Sequence, residues 1–465
     1  MVKSTCSGEK YFQCRLMPGV GRSAAPTGTT ASVGIFDPFR PKIMMDVKEK
    51  FVSCLRLSPI ILMSSLPPEL FEAILSHVPD PEKATLKLCS LVGPVFRDLC
   101  QKRLLTSLRL EPGDFFGHPS SRFAATYTEA AEAFAQNPRL PGYVTTLSIS
   151  LPAALDEQPK QTLAARQILP LLVSVPRVTI ICPPLCAWKK ISREMTRLVE
   201  VWLSTGHAGS QELSLWNPYD VPRRVMHLLL ARTDSLNLHN LDFNECEPAT
   251  SPYVVSNGPR AIHTSNHIEV HGLLIQPEFL PYTMRLTNLR MDYGREIQQT
   301  VALCRIVAET LETLELLSEH FAYNQIFEFP TLPRLQTLRL VLRENFLFPS
   351  GPALYLAPLQ RLFSAILAPS ITPGLKKVAI SHKIFARAND PMPPVPAAFM
   401  AFLDGLFVDH PTLVNVVWVM KAFCFGNDSD GTASGGFNEK YTAIVRSALP
   451  RTADKEFLSS TLEDW

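Results

Sequence analysis

Apolar residues in this chain follow two patterns that meet near residue 105. Before it, Leu70, Ile74 and Val78 recur every four residues with Phe71 and Leu75 beside them. That spacing gathers apolar groups on one face of a helix. Pro67 and Pro68 suit the first turn, where a missing N–H loses no intrahelical partner, and Pro79 ends the run. Asp80 is placed to cap a second helix that opens at Pro81-Glu82, and Leu86, Leu88, Leu91 and Val92 carry it to Gly93-Pro94. Val95, Phe96, Leu99, Cys100 and Leu104 predict a third helix. About forty residues of helix cannot enclose so many large side chains among themselves, and modules that short need a partner to complete a core. Apolar surface left over on them is an interaction face.

Beyond residue 105 short strand-like segments of the Leu-x-x-Leu-x-Leu style recur. They are Thr106 to Leu110, Val144 to Ile149, Arg177 to Ile181, Glu212 to Leu215, Ser235 to Leu238 and Ile268 to Val270. The series continues at Leu286 to Met291, Leu311 to Leu316, Leu335 to Leu340, Leu375 to Ile380 and Leu413 to Val419. Helical stripes lie between them: Met195, Leu198, Val199 and Trp202; Val301, Cys304 and Val307; Leu359, Leu362, Phe363 and Ile366; Phe399, Phe402, Leu403 and Leu406. Turns such as Pro330-Thr331-Leu332-Pro333, Pro373-Gly374 and His410-Pro411-Thr412 lead from helix back to strand. Strand, helix and strand in one direction predict right-handed connections and a parallel sheet. Recurrence at about 20 to 40 residues is the sign of a solenoid or repeat array. A doubly wound Rossmann-like sheet is the alternative, but no Gly-rich phosphate loop follows the first strand.

The helical block carries a resemblance. Leu66-Pro67-Pro68-Glu69-Leu70, Ile74-Leu75, the Pro79-Asp80-Pro81 turn, and Leu91-Val92 through Phe96-Arg97 resemble an F-box between Leu66 and Leu110. The match departs where Gly93 stands for a common Cys and Phe96 for a common Trp; Phe keeps the apolar ring and loses the indole N–H. The resemblance implies that residues 64–104 dock a Skp-type adaptor, and through it a cullin, by Leu66, Pro67, Leu70, Ile74, Leu75, Leu88, Leu91, Val92 and Phe96. Residues 105–420 resemble the irregular leucine-rich repeats behind many fungal F-boxes of basidiomycete-like type, most closely at Leu236-Asn237-Leu238-His239-Asn240-Leu241. The implied fold is α/β: a helical F-box followed by a leucine-rich-repeat-like solenoid with a curved parallel sheet and outer helices. The implied role is the substrate-recognition subunit of a cullin–RING ubiquitin ligase. Such a receptor is not an enzyme; it binds a protein target and holds it near a ubiquitin-charged one. A repeat scaffold acting outside any ligase is the alternative.

Composition narrows the choices. With 465 residues and 46% hydrophobic content the chain has room for more than one domain and a large core. A net charge of +2 points to neither nucleic acid nor an anionic membrane, and the longest apolar runs are far shorter than a membrane span. Basic pairs such as Lys189-Lys190 and Arg223-Arg224 lack the aromatic interleaving of single-strand binders. Residues 1–60 show no periodicity and no secretory h-region, and read as a disordered leader. Residues 1–45 carry six Lys or Arg against two acids, a balance also found in mitochondrial transit peptides. Residues 421–465 read as a polar loop and C-terminal tail. Ten scattered cysteines without a Cys-x-x-Cys pair suit reduced, core-filling thiols in the cytoplasm or nucleus.

Candidate chemistry is sparse. Cys182-Pro-Pro-Leu-Cys186 has no second ligand pair, so no metal is expected there. His263, His267 and His271 recur every four residues and would align as ligands on a helix, but Ile268-Glu269-Val270 reads as strand, which takes His267 and His271 out of that helical spacing. Gly431-Thr432-Ala433-Ser434-Gly435 places its Ser one residue off a nucleophile elbow. No catalytic residue and no cofactor is assigned.

Overall fold

The computed structural model describes residues 68–76, 83–91, 94–113, 124–205, 210–241, 258–265, 269–292, 297–318, 328–343, 356–386, 397–424, 442–456 and 458–464. The chain divides after Leu70 into two units, and of the first only the opening turn of the Pro68–Ser76 helix is described. The leader, Leu66, Pro67 and Val92 lie outside the described residues.

Among the described residues the second unit is built on one sheet of thirteen strands. They are β1 Ser107–Glu111, β2 Ala125–Thr126, β3 Thr146–Ser150, β4 Arg177–Ala187, β5 Ser210–Tyr219, β6 Thr233–His239 and β7 Ala261–Ser265. The rest are β8 Asn288–Asp292, β9 Thr313–Ser318, β10 Thr337–Arg343, β11 Lys377–Ala386, β12 Asn415–Cys424 and β13 Leu458–Asp464. Every pairing is parallel, and from β3 to β13 each strand lies beside the next one in the chain. The two-residue β2 is the exception, lying outside β1 at the edge. One-way progression with helices on the return path makes this an open α/β sheet of solenoid type, in which each unit packs mainly on its neighbours.

Alternation along the strands explains why it holds. Leu108, Leu147, Val178, Leu213, Leu236, Ile262, Leu289, Leu314, Leu338, Val378, Val416 and Leu458 stand in one register row through twelve strands, and all are buried. Burying an aliphatic side chain of this size stabilises by about 1.5–3 kcal/mol. Helices cover this row from one side. The Arg193–Thr205 helix buries Met195, Val199, Trp202 and Leu203, and the Leu356–Ile366 helix buries Leu359, Leu362, Phe363 and Ile366. On the Ala397–Asp409 helix Phe399 and Leu403 point inward as the stripe predicts, joined by Met400 and Phe407, while Phe402 and Leu406 are only partly buried. Gly374 is needed for close approach: a Cβ there would lie 2.8 Å from the Pro333 carbonyl oxygen.

Three expectations change. The strand expected at Ile268–Val270 lies earlier, at β7, and Glu269–Leu274 is a helix. The reason is that Thr264, a polar residue, fills an inward position there, bonded through its hydroxyl to His271. The C-terminal region is not a plain tail: 442–448 is helical, the Pro450–Asp454 helix follows, and β13 closes the sheet edge. The repeat region therefore runs past 420. Its start is not a clean break at 105 either. The Pro94–Leu105 helix belongs to the same unit as the sheet, and contacts the first repeat through Tyr143 Oη to Asp98 and Asn137 Nδ2 to Gln101 (3.4 Å). Pro94 opens that helix rather than merely breaking the one before it.

Candidate functional site

The helical block sorts its apolar residues cleanly. On the Lys83–Cys89 and Pro94–Leu105 helices, Leu86, Cys89, Phe96 and Cys100 are buried. Leu88 (61% exposed), Leu91 (75%) and Val95 (42%) face outward. Side chains one residue apart stand about 100° apart on a helix, so Val95 and Phe96 take opposite roles. Phe96 and Leu75, both in the expected docking set, are buried within this chain. Leu70, in the first unit, is 49% exposed. Ile74 lies on the Pro68–Ser76 helix, and its side chain is outside the described residues. Arg103 Nη1 donates to the Leu75 carbonyl, and Lys102 lies 3.8 Å from Glu72. Glu72, Leu75, Leu99, Lys102, Arg103 and Thr106 line a pocket of about 350 Å³ beside this contact.

The second candidate surface is the sheet face opposite the covering helices, and nothing in the sequence singled it out. In its middle row stand Ser214, Asn237, His263, Arg290, Glu315 and Arg339, on consecutive strands from β5 to β10. Asn237 Nδ2 donates to Glu212 (2.7 Å) and to Ser214 (3.2 Å), and Arg290 Nε lies 3.3 Å from Glu315. One row further along, the rings of Trp216 and His239 lie 4.1 Å apart, and Trp216 is 40% exposed. Just past them Asn240 Nδ2 donates to Asn217 Oδ1 at 2.8 Å, a two-rung amide ladder. Both residues are in the left-handed region, at φ 52° and 62°, which Asn tolerates better than most. The available signal was positional: these residues alternate with the Leu positions of the strands, so a correct strand register puts them on the other face.

The histidines do not gather as a metal site. His263 is on β7, His271 is buried in the Glu269–Leu274 helix, and His267 lies outside the described residues. Among the described residues no group of three or more His, Cys, Asp or Glu could hold a metal ion, and no helix is long and apolar enough to cross a membrane. Cys182 is buried within β4, and burial pushes its thiol well above the ordinary range. His271 Nε2 lies 3.0 Å from Thr264 Oγ1, and burial lowers its pKa to about 4; burial likewise takes His382 to about 3.

A depressed histidine pKa means that the unfolded chain binds the extra proton first. Stability is therefore complete above the unfolded value near 6.5 and falls as pH drops toward the folded value. At pH 5, about 1.5 units below the unfolded value, His271 alone accounts for roughly 2 kcal/mol lost. Urea midpoints measured from pH 7.5 to 5 should fall steadily, and His271→Gln should flatten part of that slope. An unchanged midpoint across this range would show that these imidazoles titrate normally.

Compared with known proteins, the chain matches no family model and no curated protein.

Proposed function

We propose that this chain is the substrate receptor of a cullin-based ubiquitin ligase. Its helical block docks a Skp-type adaptor, and its leucine-rich-repeat-like solenoid holds a protein target; the chain itself performs no catalysis. The observation that carries this reading is the outward placement of Leu88 and Val95 on two short helices, and of Leu91 in the turn after the first, while Leu86, Cys89, Phe96 and Cys100 fill the inner faces. Large apolar side chains left outward beside a filled inner face mark a surface that a partner covers. Leu88 and Leu91 are also positions that the F-box resemblance assigns to the adaptor. The target follows from division of labour: the remaining sheet offers a long open face and, among the described residues, no group of side chains that could hold a metal ion.

The test replaces Leu88 and Leu91 together by Asp. Because both are exposed, melting temperature should move little, while recovery of the adaptor with the tagged chain should drop to background. Each leucine is expected to bury a side chain worth about 1.5–3 kcal/mol against the partner. Adaptor recovery equal to wild type would overturn the docking assignment. Adaptor recovered without any cullin would favour a scaffold working outside a ligase.

A further inference from the structure

The open face of β5–β10 combines features that together describe a ligand. At one end the Trp216 ring, tilted by 30° against His239, offers an exposed aromatic platform. At the other, the middle row reads Arg290, Glu315, Arg339 on three adjacent strands. Glu315 lies 3.3 Å from Arg290, so one carboxylate stands between two guanidinium groups, and the exposed Arg339 is left in excess. Lys377, next along in the adjoining row, adds a further cation. Glu212, on β5, is already engaged by the Asn237 amide at 2.7 Å. Strands lie about 4.8 Å apart, so the path from β5 to β10 measures about 24 Å. Seven or eight extended residues, at about 3.3 Å each, would span it.

We infer that this face binds a peptide segment of a protein partner that carries an apolar anchor and, several residues away, an anionic group. The anchor rests on Trp216, and a carboxylate or phosphate reaches Arg339 beside Arg290. Aromatic and arginine side chains are the usual dominant contributors at such contacts, and the Arg fork matches either anion in two-point geometry. A run of nucleic-acid phosphates fits less well, because Glu212 and Glu315 stand in the same rows and would oppose it. The inference rests on the receptor reading only for the fate of the bound protein; the binding itself belongs to the chain alone.

Panning a phage-displayed random-peptide library on the purified full-length chain tests it. Enriched peptides should pair an aromatic or large aliphatic residue with Asp or Glu. Trp216→Ala and Arg339→Glu, both at exposed positions and checked for unchanged melting temperature, should each weaken the best peptide by at least about tenfold. A version of that peptide with its acids changed to Lys should bind Arg339→Glu better than wild type. Replacing the acid by phosphoserine separates the two anion sources: tighter binding assigns phosphate, weaker binding carboxylate. Peptides without acidic enrichment, or equal binding by both variants, would overturn the inference, as would displacement of the peptide by oligo-uridine RNA. Adaptor recovery is measured on wild type and the same variants. A wild-type chain that recovers the adaptor but selects no acidic peptide would remove this inference alone, whereas a wild-type chain that binds the peptide but recovers no adaptor would remove the receptor reading.

Discussion

Leu338→Asp should open the solenoid from β10 outward while leaving the N-terminal repeats folded. Leu338 is fully buried, in register between Leu314 on β9 and Val378 on β11. Truncation to Ala at such a site costs about 2–5 kcal/mol through lost contacts and a cavity. The carboxyl adds about 2–7 kcal/mol more, because it enters an apolar row with no hydrogen-bond partner and must take up a proton to stay there. Against a typical domain stability of about 5–15 kcal/mol, that sum exceeds what one repeat can absorb. Nearest-neighbour packing confines the damage, since a repeat array loses units next to the lesion before distant ones. Limited proteolysis read by mass spectrometry is the suitable measurement, because a long array need not melt in one step. New cleavage should cluster between β9 and β13, with the Pro94–Leu105 helix and β1 to β6 protected. Leu338→Ala should show the same pattern more weakly. Intact resistance of the C-terminal half to protease would mean that Leu338 is not in the core.

The register behind that prediction was only partly readable from the sequence. Ten of the eleven expected strand segments overlap observed strands, because Leu at alternate positions marks a face that helices cover. Matching strands to one another was harder. Leu314 and Leu338 are cross-strand partners, while Ile380 pairs with Leu340, one two-residue step away, and Val378 stands opposite Leu338. A two-residue slip keeps the same face, so side-chain pattern alone cannot detect it. β7 was misplaced because Thr264 and His263 make it look polar, and the hydrogen bond that lets Thr264 sit inside is invisible before the fold is known. β13 escaped for a similar reason: Leu458-Ser459-Ser460-Thr461 offers one strong apolar inward residue, Leu458, and Ser460 takes the position opposite Trp418. In the docking block residue type gave the module but not its orientation. Leu70 and Leu75 are five residues apart, about 140° around a helix, and only the structure shows that Leu75 is buried while Leu70 is half exposed. The open-face row from Asn237 to Arg339 became readable only once the strands were aligned.

Asp404→Ala should detach the C-terminal edge of the sheet, the part that the sequence pattern missed. Asp404 is buried on the Ala397–Asp409 helix, and its Oδ1 accepts from the Thr452 backbone N–H at 2.8 Å and from the Thr452 hydroxyl at 2.6 Å. Its Oδ2 accepts from the Arg451 N–H at 3.0 Å. These donors belong to the first turn of the Pro450–Asp454 helix, whose N–H groups have no partner within the helix, and the preceding Leu449 supplies no side-chain cap. A carboxylate from a neighbouring helix therefore does the work of an N-cap and anchors the segment that delivers β13. Besides this anchor, Val445 and Leu449 are buried just before the helix, while Arg451 to Asp409 at 3.2 Å is an exposed pair worth at most about 1 kcal/mol and Lys455 Nζ reaches the Val408 carbonyl at 3.1 Å. Removing the carboxylate leaves three donors without it, at about 1–3 kcal/mol for each that stays buried and unpaired. The cheaper outcome is for the Pro450–Asp454 helix and β13 to leave, which uncovers Val416 and Trp418 on β12. Hydrogen exchange should then lose protection over 450–464 first, with increased exchange in β12 and little change before β11. Asp404→Asn keeps one acceptor oxygen and turns an N–H₂ toward a donor, so its effect should fall between wild type and Ala. Should exchange across β13 stay as slow in Asp404→Ala as in wild type, the edge is held by the β12 pairing alone, and the buried carboxylate is not its anchor.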